Sequence, residues 1–261
     1  MNPRLPEIVG QKEQEQYLES VGLGSIIEPS HTPEATVNQM IYETTAPPIL
    51  VDQYRLHRFI VLNKRTTVLE FGCGWSSLVM AHAIEENRKK YSKDVTYLRR
   101  NNPFEVLSID NERKYLAIAE DRTKCAGLTN ITFHFSTIFM TTFNGRLSTQ
   151  YKNLISFSPD FIYVDGPDQF NVTGSVNGLT TAHKYFMPMS SDILLIEHFL
   201  TPGTIIVFDG RGANARFVKE NLQRNWTYTY DETFDHHVLF LDEEPLGKWN
   251  HVQLEFYGFT S

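Results

Sequence analysis

Four acidic residues, Glu70, Asp110, Asp165 and Asp209, stand in or at the end of short apolar runs, and two glycines follow the first of them. Carboxylates gathered on one rim can accept hydrogen bonds from hydroxyls, take up a proton, or help to hold a divalent cation. In the stretch Thr67-Val-Leu-Glu-Phe-Gly-Cys-Gly-Trp-Ser-Ser77, Val68, Leu69 and Phe71 read as a buried strand. Gly72 and Gly74 then permit a tight turn and close approach of a ligand. Ser76 or Ser77 is expected to cap a helix whose apolar positions follow at Leu78, Val79, Ala81 and Ala83. Strand, glycine turn and helix N-terminus together form a cradle of the kind that seats a nucleotide.

The elements that must position these residues alternate along the chain. Phe104–Ile109 reads as a second strand ending on Asp110, followed by a helix from about Asn111 to Ala126 that stops at Gly127. Ile131–Phe135 is a third strand, with Ser136 just beyond it. Phe161–Val164 ends in Asp165-Gly166-Pro167, and Thr204–Phe208 ends on Asp209. Helices are expected over Ser190–Leu200 and Ala213–Arg224. A hairpin of Trp226–Tyr230 and His237–Leu241 closes the pattern. Tyr91–Pro103, polar and basic, reads as a surface insertion, and the loop from Asp168 to about Thr181 as a wall of the pocket. The expected fold is α/β: a doubly wound, mostly parallel seven-stranded sheet with helices on both faces and a C-terminal antiparallel hairpin.

Upstream, short helices are expected near Gln11–Ser20 and Thr36–Tyr42, with Pro47-Pro48 ending the second. Asp52–Leu62 is amphipathic. Residues 1–66 therefore read as a helical extension or lid, and residues 67–261 as the main domain.

The 261 residues carry a formal net charge of -7, which disfavours a general nucleic-acid binder. Arg88-Lys-Lys90 and Arg99-Arg100 read as solvated surface. Cys73 and Cys125 have neither metal-type spacing nor a disulfide framework. No apolar stretch has the length of a membrane span, and Met-Asn-Pro-Arg-Leu-Pro-Glu7 lacks the features of a secretory signal, so a cytoplasmic protein is expected.

The dinucleotide fingerprint requires a third glycine and an acid about 20 residues further on. Here Ser77 takes the third position, and Asp110 lies well beyond that spacing. An acid-x-Gly-x-Gly pattern with an acid ending the next strand resembles instead the class I S-adenosylmethionine-dependent methyltransferases. The likeness extends to Phe-Ile-Tyr-Val-Asp165-Gly-Pro and to Leu-Thr-Pro-Gly-Thr-Ile-Ile-Val-Phe-Asp209, and covers about residues 67–241.

That resemblance implies S-adenosylmethionine over the first two strand ends. Gly72 and Gly74 would lie along its methionine part, Glu70 would support it, Asp110 would hold the ribose and Ser136 would contact adenine. The implied reaction is methyl transfer to a small-molecule acceptor, on a hydroxyl oxygen, with Asp165 and Asp209 as the catalytic pair. Asp165 and Asp209 also resemble part of the metal site of catechol-type enzymes. In those an Asn follows the second Asp, whereas Gly210 stands here, so no metal is assigned, although the two acids would serve a divalent ion if one is used. His183, His198, His236 and His237 are further bases, and Arg211 and Arg216 could grip an anionic group on the acceptor.

Two other readings compete: an aminopropyltransferase, which uses a similar fold and the decarboxylated cofactor, and a non-catalytic cofactor-binding scaffold. Amino-methylating enzymes that act on nucleic acids carry a Pro-Pro-aromatic motif after the acid of the fourth strand. Asp165-Gly-Pro-Asp168 lacks it, and the acidic balance points the same way, so no nucleic acid is expected as a partner; without a membrane-length apolar stretch, no membrane is expected either. The sequence leaves the oligomeric state open, a homodimer included.

Overall fold

The computed structural model describes residues 2–32, 46–183, 186–187 and 189–259. The helix expected at Thr36–Tyr42 lies outside the described residues. The chain opens with helix α1 (Gln11–Ser20), a 3-10 turn (Gly24–Ile26), α2 (Ile27–Ser30) and α3 (Leu50–Leu62). Next come β1 (Thr67–Phe71), α4 (Trp75–Val95), β2 (Glu105–Asp110), α5 (Arg113–Cys125) and β3 (Ile131–Phe135). The middle of the chain holds β4 (Ile138–Phe143), β5 (Arg146–Tyr151), β6 (Phe161–Val164), β7 (Val172–Thr173) and α6 (Asp192–Ile196). Last are β8 (Ile205–Asp209), α7 (Gly212–Asn221), β9 (Trp226–Asp231), β10 (His236–Leu241) and α8 (Lys248–Tyr257).

Seven strands form one sheet in the order β3-β2-β1-β6-β8-β10-β9. β10 is antiparallel to both β8 and β9, and the other pairings are parallel. This is the expected architecture. Strand order reverses between β1 and β6, so the crevice beyond their carboxyl ends is where an open α/β sheet binds its ligand.

Short apolar strands suit this sheet because each side chain set finds a covered face. Val68, Val106, Phe161, Tyr163, Ile205 and Val207 pack with Leu18 of α1, Leu56 and Ile60 of α3, Leu78 and Ile84 of α4 and Tyr257 of α8. The alternate residues, among them Leu69, Phe71, Ile109, Ile162 and Phe208, pack with Ile138, Tyr151, Ile193 and Val218 on the opposite face. The N-terminal helices thus share the core of the sheet.

Beneath the sheet, Asp160 ties β1, β6 and the C-terminal helix together. Its fully buried carboxylate accepts the N–H groups of Thr66 at 2.9 Å and Thr67 at 3.0 Å, and the hydroxyls of Thr66 and Tyr257, both at 2.6 Å. Arg100 stands 3.7 Å away. The equally buried Arg65 lies over the Tyr257 ring at 3.8 Å and donates to Gly203 O at 2.8 Å. Burial alone would raise the proton affinity of Asp160, but the charges of Arg100 and Arg65 and the hydrogen bonds hold it below the ordinary value.

Several sequence expectations change. Helix α4 runs through Tyr91 to Val95, so Tyr91–Pro103 is only partly a surface loop. Tyr91 packs edge-on against Phe256 at 5.5 Å, and Val95 and Leu98 are buried. The strands β4 and β5 have no counterpart in the sequence reading. They form a separate three-stranded sheet with β7, and their turn is Asn144-Gly145, both at positive φ. The helix expected over Ser190–Leu200 shortens to α6. The chain then tightens into a 3-10 turn, Glu197–Phe199, where the Glu197 carboxylate accepts N–H groups from Gln223, Arg224 and the Trp226 indole. The terminal hairpin does not close the chain either: α8 follows it and seals the core with Leu254 and Tyr257.

Candidate active site

The glycine turn behaves differently from a simple ligand cradle. Gly72 has φ +92°, and a Cβ placed there would lie 2.6 Å from the backbone nitrogen of Gly166. Reciprocally, a Cβ on Gly166 would meet Gly72 Cα at 2.6 Å. Gly72 therefore serves the contact between the ends of β1 and β6, which the bonds from Asp165 N (2.9 Å) and Gly166 N (2.6 Å) to Phe71 O draw together. Gly74 is extended, and a Cβ there would meet nothing closer than Ser76 Oγ at 3.9 Å. Gly74 is the glycine that leaves room for a ligand.

Neither serine is the helix cap. Gly74 occupies that position, and Ser76 and Ser77 lie in the first turn of α4. Their hydroxyls donate to the two oxygens of Glu70, at 2.5 and 2.6 Å, while Ser77 Oγ accepts from Gly74 N–H at 3.2 Å. Glu70 is wholly buried and so fixes the helix start from below.

Burial pushes the Glu70 carboxyl up to about 7, against the pull of the serine hydroxyls. Because the folded value exceeds the ordinary 4.5, the folded chain binds this proton more tightly than the unfolded one. The resulting stability is fully present below the unfolded value and lost as pH rises through the folded one. Such a difference corresponds to about 3 kcal/mol. Urea unfolding at pH 5 and pH 8 is expected to show a larger loss of stability in the wild type than in Glu70→Gln. Equal losses in the two proteins would remove Glu70 as the source.

Asp110 ends β2 and is buried. Its Oδ2 accepts Cys73 N–H at 2.8 Å and its Oδ1 accepts Glu112 N–H at 2.7 Å, so it holds the glycine turn and the entry to α5. Burial raises its proton affinity. Ser136 is buried at the end of β3, where Oγ accepts Asn153 N–H at 2.9 Å. It does not reach the wall of the cavity described next.

A cavity of about 560 Å³ opens over the switch point. Gly72, Gly74, Trp75, Asp110, Tyr115, Ile118 and Arg122 line one side, and Tyr163, Asp165, Asp168, Asp209 and Arg211 the other. Ala46, Pro47, Ile49, Asp52 and Gln53 from the N-terminal extension complete it. A second cavity, of about 490 Å³, is bordered by Leu69, Phe71, Leu154, Phe157 and Phe199 and has no titratable side chain on its walls. Of these two cavities, the first is the one that offers acid–base groups.

Asp165 is exposed and lines the cavity. Enclosure and the charge of Asp209 raise its proton affinity, Arg211 lowers it, and water in the open cavity moderates the first of these. Asp209 responds in the other direction. Burial would raise it, but His236 Nε2 at 3.1 Å from Oδ1, the Tyr163 hydroxyl on Oδ2 and Arg211 keep it ionised below its ordinary value.

His236 also lies 3.5 Å from Asp52 Oδ1. Asp52, Asp209 and His236 thus form one group, and Asp165 is not part of it. The sequence reading did not find Asp52 or Tyr163. Tyr163 was legible in principle, because it shares a strand face with Asp165 two positions later. Asp52 stands in the first turn of α3, where an acid reads as an ordinary response to the helix dipole.

The other expected residues take supporting places. Arg211 donates to Asp165 O and Pro167 O, each at 2.8 Å, which braces the loop after β6. Asp168 accepts Phe170 N–H and Asn171 N–H, each at 3.0 Å, shaping the same loop. His237 accepts or donates at the Tyr228 hydroxyl, 2.7 Å away, and stacks on Tyr230. His183 and His198 are exposed, and Arg216 lies on α7 away from the cavity wall.

Comparison with known proteins adds a family. A family model described as "Methyltransferase domain" matches residues 69–210. No curated protein sequence matches the chain. Among solved structures, the O-methyltransferase from Bacillus cereus in complex with SAH is 11% identical at a TM-score of 0.43, covering 90% of this chain and 100% of that one. A methyltransferase from Geobacter sulfurreducens is 10% identical at 0.40, covering 90% of each chain. An rRNA methylase from Streptococcus thermophilus is 12% identical at 0.38, covering 77% of this chain and 99% of that one. The family model spans more than half of the chain, from the middle of β1 to the residue after Asp209, and so takes in every strand-end acid singled out above. The chain belongs to the methyltransferase-domain family and is an enzyme of the class I, S-adenosylmethionine-dependent kind that its motifs resemble.

Proposed function

We propose that this enzyme transfers the methyl group of S-adenosylmethionine to a hydroxyl oxygen of a small-molecule acceptor. The observation that carries the reading is the cavity over the switch point, where Gly74 and Asp110 face Asp165 and Asp209 across one continuous space. Its size falls within the range of about 300–1,000 Å³ typical of small-molecule sites.

The residues present fit the cofactor. Gly74 leaves room along the turn, and each Asp110 oxygen retains acceptor capacity for a ribose hydroxyl beyond its backbone bond. Tyr115 and Ile118 offer an apolar wall for the base. Glu70 acts at one remove, by holding the first turn of α4. Bound S-adenosylmethionine supplies an electrophilic methyl group on a sulfonium centre.

Five aspartates line the cavity, against two arginines. Such a surface attracts the cationic sulfonium and repels polyanions, which supports a small acceptor over a nucleic acid. Asp165 is placed to take the proton of the acceptor hydroxyl as its oxygen gains the methyl group. Ala46, Pro47, Ile49 and Asp52 make the N-terminal extension one wall of the acceptor side, in keeping with a lid.

Calorimetry with S-adenosylmethionine, S-adenosylhomocysteine and NAD, run in parallel, tests the donor. The two sulfur nucleosides are expected to bind and NAD to fail. Tight binding of NAD alone would sink the reading. Asp110→Ala is expected to weaken S-adenosylhomocysteine binding by about 10- to 100-fold, the worth of losing hydrogen bonds to a charged group. Asp110→Asn, which preserves more of the turn, should show part of that loss. Unaltered affinity in both variants would take Asp110 out of the cofactor site.

A further inference from the structure

The Asp165–Asp209 pair of the catechol-type metal site does not fit an ion here. Gly210 brings no donor after Asp209, and Asp165 is not among the side chains whose ligand atoms converge with those of Asp209. Among the described residues, one group of acidic, histidine or cysteine side chains has ligand atoms close enough to share an ion: Asp52, Asp209 and His236, all within 4.8 Å of one another.

We propose that Asp52, Asp209 and His236 form a site for one divalent transition-metal ion, set on the N-terminal side of the cavity. Ions of this class bind nitrogen and oxygen donors at about 2.1 Å, which puts neighbouring ligand atoms ~3.0 Å apart at octahedral angles and ~3.4 Å apart at tetrahedral ones. The measured separations from His236 Nε2 are 3.1 Å to Asp209 and 3.5 Å to Asp52. The donors come from three elements, α3, the end of β8 and the start of β10, and His236 and Asp209 are register partners across the antiparallel pair. The Tyr163 hydroxyl orients Asp209 from outside the group, as outer partners of metal ligands do.

A second observation comes from the neighbouring residue on the same cavity wall. Gln53, next to Asp52 on α3, lines the cavity, is 7% exposed, and its Oε1 has no hydrogen-bond partner among the described residues. A buried amide oxygen without a donor is what a cation or its bound water would satisfy. Two carboxylates and one imidazole favour Mn²⁺, Fe²⁺ or Zn²⁺ over Mg²⁺, which prefers oxygen alone.

The site is tested without cofactor or acceptor, so its failure and that of the methyl-transfer reading are separable. Full-length protein freed of metal with EDTA is titrated with Mn²⁺, and the bound ion is read by electron paramagnetic resonance. One Mn²⁺ per chain is expected, with coupling to an imidazole nitrogen in the pulsed spectrum. Asp52→Asn and His236→Gln should each weaken binding by about ten-fold or more. Asp165→Asn should leave it within about three-fold, since that residue is not a ligand. Absence of stoichiometric binding, a spectrum without nitrogen coupling, or loss of binding in Asp165→Asn would each overturn the proposal. If His236→Gln fails to fold, the nitrogen coupling in the wild type decides.

Discussion

Asp160→Ala is expected to lose about 3–5 kcal/mol of stability, the cost of removing one partner from a buried ionic group. A domain of ordinary stability has only about 5–15 kcal/mol in total, so much of the variant should be unfolded or aggregated at 37 °C. The reason lies in what stays behind. The N–H groups of Thr66 and Thr67 at the start of β1 lose their acceptor, the Tyr257 hydroxyl loses its own, and Arg65 and Arg100 remain in the interior without an anion nearby. Tyr257→Phe removes a single hydrogen bond from the same network and should cost only about 1 kcal/mol. Urea unfolding of both variants against the wild type measures the difference. An Asp160→Ala protein within about 1 kcal/mol of wild type would show that the network is not holding the sheet to α8.

Asp165→Asn has the larger consequence for chemistry. With the amide unable to take up a proton, turnover is expected to fall by about 10²- to 10⁴-fold, the usual contribution of a positioned base. S-adenosylhomocysteine affinity should stay close to wild type, because Asp110 and the turn at Gly74 are untouched. The substitution keeps the size of the side chain and leaves the backbone contacts of residues 165–167 with Phe71 and Arg211 in place. Steady-state turnover, measured once an acceptor is in hand, and calorimetry of the product nucleoside separate the two effects. Full turnover in the variant would move the proton-accepting role to another group, with His236 the first to examine.

Sheet architecture was readable because a parallel sheet buries both faces, so its strands stand out as short unbroken apolar runs. Phe161–Val164 and Ile205–Phe208 are such runs, and the acids that follow them mark where the strands end. The β4–β5 hairpin was harder to read, since Thr141, Thr142, Ser148 and Thr149 dilute the hydrophobic signal. Its Asn144-Gly145 turn is nonetheless a strong hairpin signature that could have been used. Helix α4 outran its expected end where Tyr91 packs on Phe256 from the far end of the chain, a contact that local sequence does not display.

Placement was legible where it follows local order. Glu70 stands in β1, the two glycines follow that strand and Asp110 ends β2, as expected, while the structure gives Gly72 to the strand contact and Glu70 to the helix start. It was illegible where distant residues meet. Nothing near Asp52 indicates that it will stand beside Asp209 and His236, because that meeting depends on how α3 lies along α4 and on the antiparallel register of β10.

The placement of α3 has a consequence for how such an enzyme could change its preferences. The cavity wall around the glycine turn is built from β1, α4, β2 and α5, whereas Ala46, Pro47, Ile49, Asp52 and Gln53 come from a stretch that precedes all of them. Substitutions in that stretch can reshape one side of the chamber while every residue around the glycine turn keeps its neighbours. Under the proposed function, acceptor choice can therefore drift through this stretch while the wall around the glycine turn stays constant.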